Sequence, residues 1–274
     1  MSELQRLSDF FSSSEIDQLR KISDWRAAAS VAHCWGVILL IWVVVSIWTN
    51  PLTVLLGIMI IGTRQLGLFV LTHDASHMAL FSNRKLNDWV AQWVLNRPHT
   101  DASIDVYRRY HIQHHLHTQQ SDDPDLALSA PFPVSKKSLR RKFIRDLTGQ
   151  TGWKQYSRLI NSAFSGETWR QKLANGLARL GSNIAINLIF LTAFSLAGVW
   201  YLYFLLWVVP SLTWYRLVVR IRNICEHAVV PDDDDRLRNT RTTTANWLER
   251  ALIAPYNVQY HLEHHLIVNC PHYR

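Results

Sequence analysis

The chain has 274 residues, with 29 Lys+Arg against 21 Asp+Glu, a formal net charge of +8 and 48% hydrophobic residues. Its mean hydropathy is near zero, but that average hides two long uncharged runs, 27–48 and 180–215. Runs of about 18 or more apolar residues read as membrane spans. Composition therefore excludes a soluble enzyme and a disordered chain. With three scattered cysteines and no CxxC, it also excludes a disulfide scaffold and a zinc finger.

Residues 1–26 are polar and mixed in charge, without the basic start, short apolar core and small-residue cleavage site of a signal peptide. A first span is predicted at about 27–48. Thr49-Asn50-Pro51 turns the chain, because proline lacks the N–H that a continuing helix needs. A second span follows at about 52–71. The run 180–215 is too long for one crossing of a roughly 30 Å hydrocarbon core at about 1.5 Å per residue. It reads as spans at about 181–197 and 200–216, meeting near Ala197-Gly198-Val199. The expected fold is all-α and integral to a membrane: four transmembrane helices in two hairpins, forming one domain over 1–274. Residues 72–180 and 217–274 are expected to lie outside the bilayer.

Arg26, Arg84, Lys85, Arg179, Arg216, Arg220 and Arg222 fall at one set of span ends, and the two opposite turns are uncharged. The bias places the termini and the cap in the cytosol. Arg64, inside span two, is expected to snorkel or to bond a helix backbone. The stretch Arg84–Arg179 holds 16 Lys/Arg and 8 Asp/Glu. Within it, Trp89, Val90, Trp93, Val94 and Leu95 read as an interfacial helix. Lys136-Lys137 and Arg140-Arg141-Lys142 read as a rim for membrane-lipid headgroups or a docking patch for an acidic electron carrier. With spans present, the positive charge points to these partners and not to nucleic acid. Asp232 to Asp235 reads as a solvated loop.

Nine of the 13 histidines are clustered. His73-Asp74-Ala75-Ser76-His77 is HxxxH. His111-Ile112-Gln113-His114-His115 and His261-Leu262-Glu263-His264-His265 are both HxxHH. Asn223 and His227 form NxxxH just past span four. On a helix, positions i, i+3 and i+4 share a face. His73 and His77 can thus meet at one centre. The two HxxHH clusters can do the same, with their adjacent pairs splaying toward two centres. Nine imidazoles exceed the four ligands of a structural zinc site and suit two metal ions with open positions. Imidazole accepts Zn, Cu, Fe or Ni. Two irons are favoured, because a histidine-rich pair at a membrane suits oxygen chemistry on apolar molecules. Metal transport fits less well, since it needs ligands near the midplane with access from both sides. His33, His99, His117 and His272 stand apart. His117 is expected beside the site and His33 as a cap on a nearby carbonyl. A ligand imidazole needs an acceptor for its other nitrogen. Asp125 and Asp74 come first for that role, ahead of Asp122, Asp123, Glu226 and Glu263. Arg108, Arg109 and Arg241 are expected to pair with these acids.

The boxes His73–His77, His111–His115 and His261–His265, in this order and with this span pattern, resemble the membrane fatty acid desaturase superfamily, which also contains acyl and sphingolipid hydroxylases and carotenoid ketolases. The resemblance runs from about Arg64 to Tyr273. It implies that 72–180 and 217–274 form a cytosolic helical cap carrying a di-metal site, a non-haem di-iron centre (Fe2+/Fe3+) with His73, His77, His111, His114, His115, His227, His261, His264 and His265 as ligands. It implies that Asn223 binds through a metal-bound water. It also implies O2 as co-substrate and an external electron donor of ferredoxin, rubredoxin or cytochrome b5 type. The expected reaction is desaturation of an acyl chain of a lipid or fatty acid, entering by an apolar tunnel lined by Trp and Phe. The alternative is hydroxylation or ketolation of a lipid, sphingoid base or carotenoid on the same centre.

The sequence also departs from some members of that superfamily. The third box opens on His261 and not Gln, unlike front-end desaturases. No HPGG of a fused cytochrome b5 is present, nor the Trp- and Pro-rich surroundings that follow a late box in carotenoid ketolases. The chain stops nine residues after His265, where relatives continue, so the tail is expected to be short or truncated. The lack of a signal peptide and the small size point to a multi-pass protein of a bacterial cytoplasmic membrane, with its active site facing the cytosol.

Overall fold

The structure is a computed structural model, and it describes residues 7–100 and 103–274. The first six residues, part of the polar stretch read above, lie outside the described residues. The described residues form helices and no strand, with one isolated bridge between Thr242 and Tyr260. In chain order the helices are α1 (Ser13–Leu19), α2 (Asp24–Ile47), α3 (Pro51–Ser76), α4 (Arg84–Trp89), α5 (Ile104–His117), α6 (Leu126–Ser129) and α7 (Lys136–Leu147). They continue as α8 (Gln150–Ala163), α9 (Trp169–Leu196), α10 (Trp200–Tyr203), α11 (Val209–Leu212), α12 (Trp214–His227), α13 (Trp247–Leu252) and α14 (His261–Leu266).

Four stretches are long and apolar enough to cross a membrane: Ser13–Ile47, Pro51–Ser76, Trp169–Leu196 and Trp200–His227. The turn between the first two forms as its residues predict. The Asn50 side chain accepts from the Leu52 and Thr53 N–H groups, Thr53 reaches back to the Asn50 N–H, and Pro51 opens α3. Leu39, Leu40, Val43 and Ile47 on α2 and Leu188, Ile189 and Leu196 on α9 are left exposed. Apolar faces of that extent belong against lipid, and the protein is a membrane protein.

Helix α3 is the central element, buried almost continuously from Ile61 to Ser76. A Cβ on Gly62 would stand 3.0 Å from Trp214 and from the Tyr215 backbone, and one on Gly67 would stand 2.9 Å from the Tyr256 ring. Glycine at these positions lets α12 and the segment before α14 pack directly on the α3 backbone. Three buried polar side chains of α3 reach carbonyls elsewhere in the fold. Thr63 donates to Leu252, Arg64 to Ala251 and Gln65 to Trp207. Arg64 is thus bonded to the backbone of α13, one of the two expected outcomes.

Trp35 and Trp42 of α2, Phe190 and Phe194 of α9, and Trp207 form one aromatic cluster between the spans. Trp207 lies in a π-helical turn, Phe204–Val208. The turn precedes Pro210, which has no N–H to offer the Leu206 carbonyl. The Trp42 indole reaches that carbonyl at 3.5 Å.

The helices outrun the predicted apolar limits where the site begins. Helix α3 continues to Ser76 and α12 to His227, well past residues 71 and 216. Hydropathy marks contact with lipid, whereas helix length is set by capping and burial. Both extensions stay helical because their polar residues are packed inside the protein. Two of the arginines expected to pair with the acids beside the histidine boxes hold these ends instead. Arg108 donates to the Ala75 and Ser76 carbonyls of α3, and Arg241 to the Ile224 and Ala228 carbonyls at the end of α12. Cations placed on C-terminal carbonyls also suit the helix dipole. Arg108 additionally pairs with Asp88 and Asp105, while Arg109 is exposed.

Candidate metal centre

The ends of α3 and α12 meet α5 and α14, and the nine clustered histidines converge there. They divide into two groups: His73, His77, His111, His115 and His264, and His114, His227, His261 and His265. Within each group the candidate ligand atoms all lie within 4.8 Å of one another. The i, i+4 pairs face each other as their spacing requires, with ring centroids 5.0 Å apart for His73 and His77, 4.5 Å for His111 and His115, and 4.5 Å for His261 and His265. The adjacent pairs split: His115 and His264 serve the group of five, His114 and His265 the group of four. Asn223 stands four residues before His227 on α12, half-buried.

The donor set fits metal ions. Nε2 of His261 lies 2.7 Å from Nε2 of His227 and 3.0 Å from Nε2 of His265. Nε2 of His115 lies 3.0 Å from Nε2 of both His111 and His264. His114 donates from Nδ1 to Asp123 at 2.8 Å, so its Nε2 keeps a lone pair. Thr118 gives its own proton to the His114 carbonyl and stands 3.3 Å from Nδ1 of His265, fixing that ring the same way. Nε2 of His73 and of His77 are buried with no hydrogen-bond partner. Convergent buried lone pairs of this kind are the environment a cation satisfies. Burial, reinforced by the neighbouring imidazoles, pushes His111, His261, His264 and His265 well below the ordinary histidine range, and holds His77 down to about 3. The rings are therefore neutral near pH 7, the form that ligates.

The acceptors differ in part from expectation. Asp123, and not Asp125, takes the proton of His114. It also accepts from the Gln119 and Asp125 N–H groups. The chain reverses at Gln119, which adopts φ 65°, and this tucks Asp123 beneath α5. Asp125 lies 3.9 Å from Nδ1 of His114 and accepts from the Tyr110 hydroxyl at 2.6 Å. Asp74 accepts from His272 at 2.8 Å, a residue read as isolated. Glu226 lies 3.7 Å from His261 and is held by Arg222 at 2.7 Å, while Glu263 turns away to Thr242. His117 belongs to neither group. His33 meets the Tyr256 hydroxyl at 3.1 Å and not a carbonyl. Tyr107 stacks on His111 with centroids 5.5 Å apart, a contact its i−4 position could have signalled.

A cavity of about 460 Å3 opens beside the histidines, with His73, His261 and His264 on one wall and Val70, Val258 and Ile267 among its apolar walls. Its aromatic lining is tyrosine (Tyr256, Tyr260, Tyr273) with Phe11, and no tryptophan takes part. Of the expected Trp and Phe lining only Phe11 is present among the described residues, and Trp35, Trp42, Phe190, Phe194 and Trp207 lie elsewhere. Those rings fill the space between spans instead.

A family model described as fatty acid desaturase matches residues 49–274. Dihydrorhizobitoxine desaturase of Bradyrhizobium elkanii is 28% identical over 244 residues, a match covering 83% of this chain and 66% of that protein. The chain thus spans just under two thirds of the length of this relative.

Proposed function

Because the chain belongs to the fatty acid desaturase family, we propose that this desaturase-like oxidoreductase uses O2 to introduce a double bond into an acyl chain of a lipid or fatty acid. Two iron ions held by the nine histidines serve the reaction. The observation that carries the reading is the division of the nine imidazoles, six buried and three half-buried, into one group of five and one of four. His73, His77, His111, His115 and His264 hold one ion. His114, His227, His261 and His265 would hold the other, with Asn223, one turn before His227, as an acceptor for water at the smaller set.

Bound iron supplies the one-electron chemistry that reduces dioxygen and takes hydrogen from an unactivated methylene. In balance, R–CH2–CH2–R′, O2, two electrons and two protons give R–CH=CH–R′ and two waters. The electrons come from an external carrier of ferredoxin, rubredoxin or cytochrome b5 type. The chain's own side chains hold the geometry. Asp123 and Thr118 set the tautomers of His114 and His265, and Tyr107 backs His111. Val70, Val258 and Ile267 keep water from the cavity wall and lay an apolar substrate beside His73, His261 and His264. The arginine bias supports a cytosolic position for this end of the protein.

The relative's name favours a second reading, in which the substrate is dihydrorhizobitoxine or a like compound and not a fatty acid. Expression in a host of known lipid content, followed by mass spectrometry, tests both. Host acyl chains that lose two hydrogens support the first reading. A gain of oxygen would assign the hydroxylase or ketolase chemistry instead. Unchanged lipids, with two hydrogens lost from supplied dihydrorhizobitoxine, support the second reading.

A further inference from the structure

The segment Ile267–Arg274 follows α14 and walls the cavity, and one of its residues reaches the histidine centre. His272 touches Asp74 twice. Its backbone N–H donates to Oδ2 at 3.0 Å, and Nδ1 lies 2.8 Å from the same oxygen. A carboxylate only accepts, so Nδ1 carries a proton, which in the neutral ring leaves Nε2 as an acceptor. Nε2 lies at hydrogen-bond distance, 2.9 Å, from the Ser30 hydroxyl on α2. The other carboxylate oxygen, Oδ1, stands 3.6 Å from Nδ1 of His73. Nε2 of His73 is buried, has no hydrogen-bond partner, and faces into the group of five. Three segments remote in sequence thus form one chain of contacts, Ser30–His272–Asp74–His73, ending on a candidate ligand.

We infer that His272 is a positioning residue for the metal centre. It clamps the Asp74 carboxylate in the orientation that holds His73 toward the ion of the five-histidine group. The inference rests on the proposed function, in which His73 is a ligand. The physical case is that neighbouring residues on a helix point apart. Asp74 therefore does not orient His73 unaided, and its carboxylate must be fixed from outside the helix. His272 does this with two donors, and its own ring is fixed by Ser30 on one side and by the edge-on Tyr256 ring, 5.3 Å between centroids, on the other. Partners of this kind set ring orientation and ligand strength at metal sites. The segment has a separate anchor, the Tyr273 hydroxyl, which accepts from the Ser23 N–H at 2.6 Å. Anchoring and positioning can therefore be separated by mutation.

The test uses the full chain in detergent, loaded with 57Fe(II) and read by Mössbauer spectroscopy and by Fe(II) titration. The two histidine groups differ in donor number, so two ferrous doublets are expected. His272→Phe keeps a ring against Tyr256 but has no ring donor. It should alter one doublet only and weaken binding of that one ion by about 10-fold or more, in line with other outer-partner losses. His272→Asn places a carboxamide N–H near the position of Nδ1 and should restore the wild-type doublet. Tyr273→Phe removes the separate anchor and should leave both doublets unchanged. Should His272→Phe fail to fold, His272→Ala carries the same reading. Wild-type protein with two irons, and a His272 variant with both doublets and both affinities unchanged, would overturn the inference alone. Equal perturbation by Tyr273→Phe would also overturn it, reducing the segment to packing. Wild-type protein that binds no iron would overturn the proposed function as well.

Discussion

Asp123 accepts a hydrogen bond from Nδ1 of His114 at 2.8 Å, with both side chains almost wholly buried. The bond fixes which nitrogen of His114 faces His227, His261 and His265. Asp123→Ala should weaken metal binding at the four-histidine group by about 10- to 100-fold. Asp123→Asn, which keeps a carbonyl oxygen as acceptor, should recover part of the loss. Metal titration of the purified variants checks both, and an unchanged Asp123→Ala affinity would sink the assignment.

His227 and His117 separate a proposed ligand from a neighbour. Purified protein loaded under reducing conditions should hold about two metal ions, as nine imidazoles can fill four to five positions on each. His227→Ala should lower that content and abolish turnover. His117→Ala should leave the metal in place, because His117 lies outside both groups. Equal metal loss in the two variants, measured by elemental analysis, would contradict this division.

Asn223→Ala should keep both metals and lose about 10- to 100-fold in turnover, the usual scale for a partner beyond the ligands. Its side chain shares a face of α12 with His227, and a carboxamide oxygen accepts well from water. Loss of a metal would make Asn223 a direct ligand. Full activity would leave it an ordinary helix residue.

Gly67→Ala should destabilise the protein by about 1–3 kcal/mol, the range for overpacking. The new Cβ would meet the Tyr256 ring at 2.9 Å and Cys34 Sγ at 3.2 Å. Tyr256 also lines the cavity, so substrate binding should weaken along with thermal stability. A melting curve matching that of the wild type would show that the ring has room to move.

Protein stripped of metal should become less stable in acid. Burial holds His77 down to about 3 and His99 to about 4, and pushes His111, His261, His264 and His265 in the same direction. The unfolded chain takes up these protons near the ordinary imidazole value of about 6.5, and the folded chain does not. Stability is therefore full above that value and lost progressively as pH falls toward the folded-state values. Thermal unfolding in detergent should give a lower midpoint at about pH 5.5 than at about pH 7.5, and an equal midpoint would count against buried neutral rings.

Four spans, the turn at Asn50-Pro51 and the three histidine boxes were legible in the sequence because each rests on local order: apolar length, cap chemistry and helical spacing. The splaying of His114 from His115, and of His264 from His265, followed from the same helical geometry. Which ring joined which group did not, because that depends on how α3, α5, α12 and α14 meet. Asp123 replaced Asp125 through a chain reversal at Gln119 that no periodicity announces. The bond from His272 to Asp74 joins residues 198 positions apart, and the cavity draws its tyrosines from two stretches, one on each side of α14. Backbone and side-chain periodicity act over one or two helical turns and are written in the local sequence. Acceptors, cavity walls and the partition of ligands arise where remote segments exclude solvent together, and only the packed structure decides those.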